Sequence, residues 1–143
     1  MTVRELRAGE TVAAFDAMRA LRPDLAGAAE FARRVDEVQR PQGYRVAAVV
    51  EDDGCVSAVA GFRVLEMLAY GRILYIDDLS TLPAARRRGY GRALLDWCAA
   101  QAVREGCVAL QLDSNVGPER QDAHRLYFNH GMRISSYHFA REL

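Results

Sequence analysis

Apolar residues first recur at helical spacing. Val12, Phe15, Met18 and Leu21 fall on one face of a helix predicted from about Gly9 to Leu21, and Pro23 ends the pattern. Phe31, Val35 and Val38 repeat the spacing over about 26–40, until Pro41 and Gly43 break it. The pattern then becomes extended. YRVAAVV at 44–50 is short and valine-rich, the Asp52-Asp53-Gly54 that follows is a hairpin signal, and residues 55–65 read as its partner strand. A turn signal at Tyr70-Gly71 opens a third strand over 72–82, RILYIDDLSTL, closed by Pro83. Leu94, Leu95, Cys98, Ala102 and Val103 mark a long helix from Gly91 to about Glu105, with Gly106 as its left-handed cap. CVALQLD at 107–113 returns as a strand, and a crossover of this length is what parallel strands require. A last helix spans about 119–130 before Gly131, and the tail MRISSYHFAREL reads as one or two final strands. The predicted class is α/β (α+β), a mixed central sheet flanked by helices in the order ααβββαβαβ.

Composition narrows the possibilities. A chain of 143 residues is near the modal domain length and can bury about 68–70% of its unfolded surface, so one domain over 1–143 is expected. With 50% hydrophobic and 27% charged residues it reads as globular rather than disordered. The 19 acidic residues balance 19 basic ones, which removes the overall positive field that nucleic-acid or anionic-membrane binding uses, and neither partner is expected. Every basic residue is arginine. A Schiff-base lysine and a P-loop ending in G-K-[ST] are therefore excluded. The opening MTVRELRAGE lacks the apolar core of a signal peptide, and no stretch approaches a membrane span, which predicts a cytoplasmic protein. Cys55, Cys98 and Cys107 are odd in number and lack C-x-x-C spacing, so they read as reduced thiols buried as small hydrophobes.

LSTLPAARRRGYGRALL joins the third strand to the long helix. Glycines there bring backbone amides close to a ligand, and the amides of a helix N-terminus have no internal partners, an arrangement suited to phosphate or pyrophosphate. Arg86, Arg87, Arg88 and Arg92 add formal charge. A plain turn with a solvated arginine face would use the same residues, and placement between strand and helix decides between the two. The R-x-x-G-x-G turn of Arg86, Gly89 and Gly91, with the strand before it and the helix after it, resembles the acetyl-CoA signature of the GNAT superfamily of N-acetyltransferases. AHRLYFNHGM resembles that family's later helix, whose tyrosine lies four residues before a glycine, here Tyr127 and Gly131. The element order matches from about Thr2 to the C-terminus.

The resemblance implies a single N-acetyltransferase domain with acetyl-CoA as co-substrate. The third strand, carrying Leu79, Ser80 and Thr81, would part from its parallel neighbour and pair with the peptide-like pantetheine arm. The amides of residues 87–92, Tyr90 included, would hold the pyrophosphate, while Arg87 and Arg88 reach the adenosine phosphate. Arg86 is either part of this site or structural. Asn115 is assigned to the pantetheine arm by analogy.

Acetyl transfer to an amine sets two proton problems. An alkylammonium with a pKa near ~10.4 must lose a proton before attacking the thioester, and Asp77 or Asp78 can take it, directly or through water. Adjacent strand positions point to opposite faces, so one aspartate at most faces the substrate unless a bulge intervenes. The leaving thiolate must gain a proton, and Tyr127 can donate it. An amide near Leu79 or Ser80 is the expected oxyanion donor. No metal is required, and His124, His130 and His138 show no ligand spacing, although His124 lies one helical turn from Tyr127. Direct transfer is preferred over a cysteine nucleophile. The expected partner is a small-molecule or peptide amine, with Glu66, Asp77 and Asp78 hinting at a cationic one. A homodimer is left open. Two other readings stay beside the enzyme: a non-catalytic acyl-CoA-binding sensor, and a small nucleic-acid binder built on the arginine run.

Overall fold

The computed structural model describes residues 1–143. The chain clusters into two compact units, Met1–Leu112 and Asp113–Leu143. The first is built on a five-stranded sheet of order β1-β2-β3-β4-β5. Its strands are β1 Thr2–Leu6, β2 Arg45–Val50, β3 Val56–Met67, β4 Gly71–Thr81 and β5 Ala109–Leu112. The first four pair antiparallel in sequence, and β5 lies parallel to β4. Helices α1 (Phe15–Leu21), α2 (Ala28–Arg33) and α3 (Tyr90–Arg104) complete this unit. The mixed sheet flanked by helices is the expected class.

Both faces of β2 are covered, which explains why RVAAVV is a continuous apolar run rather than an alternating one. Val46 and Ala48 join Phe15, Met18, Phe31 and Val35 in one core cluster. Ala47 and Val49, also fully buried, alternate to the opposite side. Phe62 of β3 meets the edge of Trp97 on α3 with ring centroids 5.7 Å apart, and Leu94, Leu95 and Cys98 of α3 are wholly buried. Burial pushes the Cys98 thiol up to about 12, so it is an inert core group.

Several expectations are corrected. An additional strand, β1, precedes the first helix; it is an edge strand whose residues Arg4 and Glu5 hide the pattern, and only Leu6 is buried. The first helix begins as a tight 3₁₀ turn, Thr11–Ala14, which turns Thr11 and Ala14 inward and leaves Val12 exposed. Beyond α2 the chain widens into a π-helical segment, Arg34–Gln39, so Phe31 and Val35 are buried while Val38 rotates to the surface. Asp36 ties this segment to the 3₁₀ turn by accepting from Thr11 Oγ1 at 2.5 Å and from Arg40 Nε at 2.7 Å. Cys55, read as buried, is exposed in the turn after β2, and Cys107 is only partly buried ahead of β5.

Pairing of β4 with β5 runs from Ile73↔Ala109 to Ile76↔Leu112 and stops there. From Asp78 to Thr81, β4 is paired with β3 alone. At the point of departure Phe62 pairs with Ile76 and Gly61 with Asp78, which leaves Asp77 as the extra residue of a β-bulge.

The second unit holds a 3₁₀ turn, Pro118–Arg120, and helix α4 (Gln121–Asn129), which ends at Gly131 with φ +86°. The final strands expected in MRISSYHFAREL do not form: residues 133–143 are irregular, and Ile134, Tyr137 and Phe139 are exposed. Alternation favours a strand only when another strand takes its backbone bonds, and this unit contains none.

Candidate active site

The loop between β4 and α3 is shaped by two left-handed residues. Arg87 has φ +64°, the one positive value outside glycine, and Gly89 follows with φ +80°. Holding an arginine in that conformation costs roughly 1–2 kcal/mol, a strain that tends to persist where a site uses it. Such turns gather successive amides into an anion-binding concavity. The first helical bond runs from Ala93 N–H to Gly89 C=O at 3.0 Å, so the amides of Tyr90, Gly91 and Arg92 lie ahead of the helical ladder. A side chain built at Gly89 would meet nothing within 4 Å, so the space before these amides is open.

Around this loop the arginines stand free or loosely held. Arg86, Arg87, Arg88 and Arg92 are all exposed. Arg88 lies 3.8 Å from Glu51, and Arg92 lies 3.9 Å from Asp96. Tyr90 differs from its neighbours: its ring is buried and its hydroxyl donates to Glu51 Oε1 at 2.6 Å, so its side chain anchors the loop and only its amide faces the concavity. Amides and guanidiniums together fit a polyphosphate. The backbone of Leu79, Ser80 and Thr81, partnered only on the β3 side by Ala60, Val59 and Ala58, fits an arm that carries amides.

The bulge answers the question left by the adjacent aspartates, because it lets both carboxylates reach the α1 and α2 side of the sheet. Arg63 holds Asp77 with two bonds, Nε to Oδ1 at 3.0 Å and Nη2 to Oδ2 at 2.7 Å. Asp78 accepts from Arg22 Nε on Oδ1 at 2.9 Å and from the Tyr44 hydroxyl on Oδ2 at 2.7 Å. Burial raises the Asp77 carboxyl above its ordinary range, while Arg63 pulls it back. Burial and the neighbouring Asp78 push the Tyr44 phenol well above its usual value, so it remains a proton-bearing donor. Asp78 therefore lies between two donors. It also lines a cleft of 390 Å³ with Met18, Leu21, Phe31, Val35 and Tyr44, whereas Asp77 does not. Glu66 is not part of this group, since it pairs with Arg72 at the far end of the β3–β4 hairpin.

Sequence reasoning missed Arg22, Tyr44, Arg63 and Gly61. Tyr44 reaches Asp78 because Gly61, its register partner, has no side chain: a Cβ there would sit 1.8 Å from the Tyr44 hydroxyl oxygen. A lone glycine inside a strand signals a close approach, and that was the available clue. We expect Gly61→Ala to cost about 1–3 kcal/mol by overpacking and to break the Tyr44–Asp78 bond. A denaturant midpoint equal to the parent's would remove Gly61 from this role.

In the second unit, Tyr127 lies on α4 with its ring mostly buried and its hydroxyl 3.5 Å from Arg120 Nη2. Burial raises its phenol, and Arg120 offsets part of that rise. His124 bonds Ser114 Oγ at 3.0 Å and meets Tyr127 only ring to ring, with centroids 6.4 Å apart. Asn115 is exposed in the segment before α4.

Comparison with known proteins supplies the family. The profile described as Acetyltransferase (GNAT) family matches residues 12–132. An uncharacterized N-acetyltransferase of Bacillus subtilis, YhdJ, is 31% identical over 112 residues, spanning 78% of this chain and 77% of that protein. The aminoalkylphosphonate N-acetyltransferase of Salmonella typhimurium is 34% identical over 68 residues, 48% of this chain and 43% of that one. Among solved structures, the ribosomal-protein-alanine N-acetyltransferase from Brucella melitensis superposes over the full length of both chains with a TM-score of 0.85 at 16% identity. An acetyltransferase of Trypanosoma brucei covers 99% of each chain with a TM-score of 0.81 at 17% identity. At such identities the two structures speak for the fold alone. The profile match and the Bacillus relative go further, and with the departing parallel strands and the glycine-arginine loop they establish that the chain belongs to the GNAT acetyltransferase family.

Proposed function

We propose that this protein moves the acetyl group of acetyl-CoA to a primary amine of a small molecule or peptide by direct attack. The observation that carries the reading is one strand, β4, which leaves β5 after Ile76, presents Asp78 to a cleft, and runs into the loop of open amides and exposed arginines. When bound, acetyl-CoA supplies an activated acetyl thioester. The amides of residues 87–92 hold the pyrophosphate, with Arg87 and Arg88 taking the adenosine phosphate and Arg86 and Arg92 adding field. Leu79, Ser80 and Thr81 pair with the pantetheine arm through their backbone, and Asn115 is assigned to the same arm. An amide at Leu79 or Ser80 donates to the acetyl oxygen as charge builds there. Asp78 takes the proton from the acceptor ammonium, directly or through water, while Asp77 holds Arg63. Tyr127, kept protonated by its burial, returns a proton to the departing thiolate.

Titration calorimetry with acetyl-CoA, followed by thiol release measured over a panel of amines, tests this. Binding without amine-dependent release would make the chain an acyl-CoA sensor, and absence of both would refute the reading. The partial match to an aminoalkylphosphonate N-acetyltransferase adds that acceptor class to the panel. Tyr127→Phe is expected to lower turnover about 10²-fold while acetyl-CoA affinity stays within twofold, because only the proton donor is removed. Equal turnover under conditions where chemistry limits the rate would assign Tyr127 to packing.

A further inference from the structure

The cleft beside Asp78 has a charge pattern that narrows the acceptor. Four ionisable groups other than the tyrosine line it, Arg22 and Arg34 against Asp24 and Asp78, so its formal charge is balanced. They are not equivalent. Asp78 is the deepest, only 15% exposed at its side chain, and its partner Arg22 is half exposed at 51%. Arg34 projects from the π-helical segment, exposed and without an ion pair, while its neighbour Arg33 is already taken by Glu30 and Glu37. The volume of 390 Å³ lies near the low end of the small-molecule range of about 300–1,000 Å³.

We infer that the acceptor is a small zwitterionic amine, an amino compound bearing a carboxylate or phosphonate, whose ammonium replaces Arg22 on Asp78 while its anionic group is taken by the released Arg22 and by Arg34. This rests on the acetyl-transfer reading in so far as the cleft is taken as the acceptor site. The argument is one of partner exchange. A plain amine that reaches Asp78 displaces Arg22, leaves that guanidinium only the exposed Asp24 as a counter-ion, and gives the balanced cleft a net positive charge. A diamine does the same, and its second cation has only the exposed Asp24 to meet while Arg22 and Arg34 both stay unpaired. A zwitterion replaces one ion pair by two, keeps the formal charge of the cleft balanced, and meets in Arg34 a guanidinium that makes no direct ion pair in the free protein. Arg22 also donates to the Asp77 carbonyl at 3.3 Å, so it is held near the site after Asp78 changes partner. Among the apolar lining residues, Met18, Leu21 and Phe31 suit a short aliphatic linker.

Three amines of matched length read this directly: 2-aminoethylphosphonate, n-propylamine and 1,3-diaminopropane, whose third position is anionic, neutral and cationic. In thiol-release assays with acetyl-CoA, kcat/KM is expected to fall in that order, at least tenfold from first to last. Arg34→Gln should raise KM for 2-aminoethylphosphonate about tenfold and shrink its advantage over n-propylamine by the same factor. Calorimetry with each amine alone, without acetyl-CoA, should show 2-aminoethylphosphonate binding more tightly than 1,3-diaminopropane. A diamine that equals or outperforms the phosphonate in both readouts, or an Arg34→Gln variant with unchanged KM and unchanged phosphonate binding, overturns the inference while leaving acetyl transfer standing. Loss of acetyl-CoA binding and of all thiol release, with the phosphonate still bound preferentially through Arg34, would instead refute the acetyl-transfer reading and keep the charge assignment of the cleft.

Discussion

Asp78→Asn is expected to lower turnover with a reactive amine about 10²- to 10⁴-fold, the range over which a positioned general base contributes, while acetyl-CoA affinity stays within twofold. The substitution keeps the shape and removes the proton acceptor. The lost rate should recover in part as pH approaches the acceptor's own pKa, near ~10.4 for an alkylamine, since free amine then forms without help. Asp77→Asn should behave differently. Asp77 is bound on both oxygens by Arg63, with side-chain exposures of 24% and 19%, so its loss strands a half-buried guanidinium and should appear in stability, about 1–3 kcal/mol, more than in rate. The Arg22–Asp78 pair, with Arg22 half exposed, is of the kind worth roughly 0–1 kcal/mol. Asp78 also accepts from the buried Tyr44 hydroxyl, a bond that an asparagine oxygen can keep in weaker form, so Asp78→Asn should lose about 1 kcal/mol, the low end of the Asp77→Asn range. Parallel rate–pH profiles and denaturant curves for the two variants separate these roles. An Asp78→Asn protein with the parent's rate and profile would move the base elsewhere.

Gly89→Val is expected to weaken acetyl-CoA binding about 100-fold or more, read by calorimetry, with the overall fold retained by circular dichroism. Two causes add. The residue sits at φ +80°, which a β-branched side chain strongly disfavours, and its Cβ would project into the open space before the amides. Gly106→Ala is the control, because Gly106 has a similar φ of +74° but caps the other end of α3. It should lose about 1 kcal/mol of stability and keep its affinity. If Gly89→Val bound acetyl-CoA as the parent does, the loop would not be the pyrophosphate site.

What could be read from the sequence was whatever local chemistry dictates. The crossover through α3 required parallel neighbours, as β4 and β5 are, and Gly106 after that helix read as a left-handed cap, which it is at φ +74°. What could not be read depends on contacts between distant segments. β1 has a short, charged sequence without clear alternation, and its pairing is supplied by β2, about forty positions away, as in Leu6↔Val46. Arg22 just after α1, Tyr44 just before β2 and Arg63 on β3 converge on the aspartates, and nothing near Tyr44 in sequence announces a carboxylate 34 positions on. The tail failed in the opposite sense: its residues have strand propensity, but residues 133–143 form no strand.

The bulge at Asp77 also determines how β4 can change length. With Phe62 opposite Ile76 and Gly61 opposite Asp78, the stretches before and after Asp77 each keep their own phase against β3. Loss of the residue at 77 would close the ladder into regular pairing without turning Asp78, Leu79 or Ser80 over. Loss of any residue between Ile73 and Ile76 would instead have to be absorbed by the bulge or would invert one half of the strand. β4 thus has one position at which a one-residue insertion or deletion is neutral to side-chain direction, and it lies where the strand leaves β5 and the carboxylates begin.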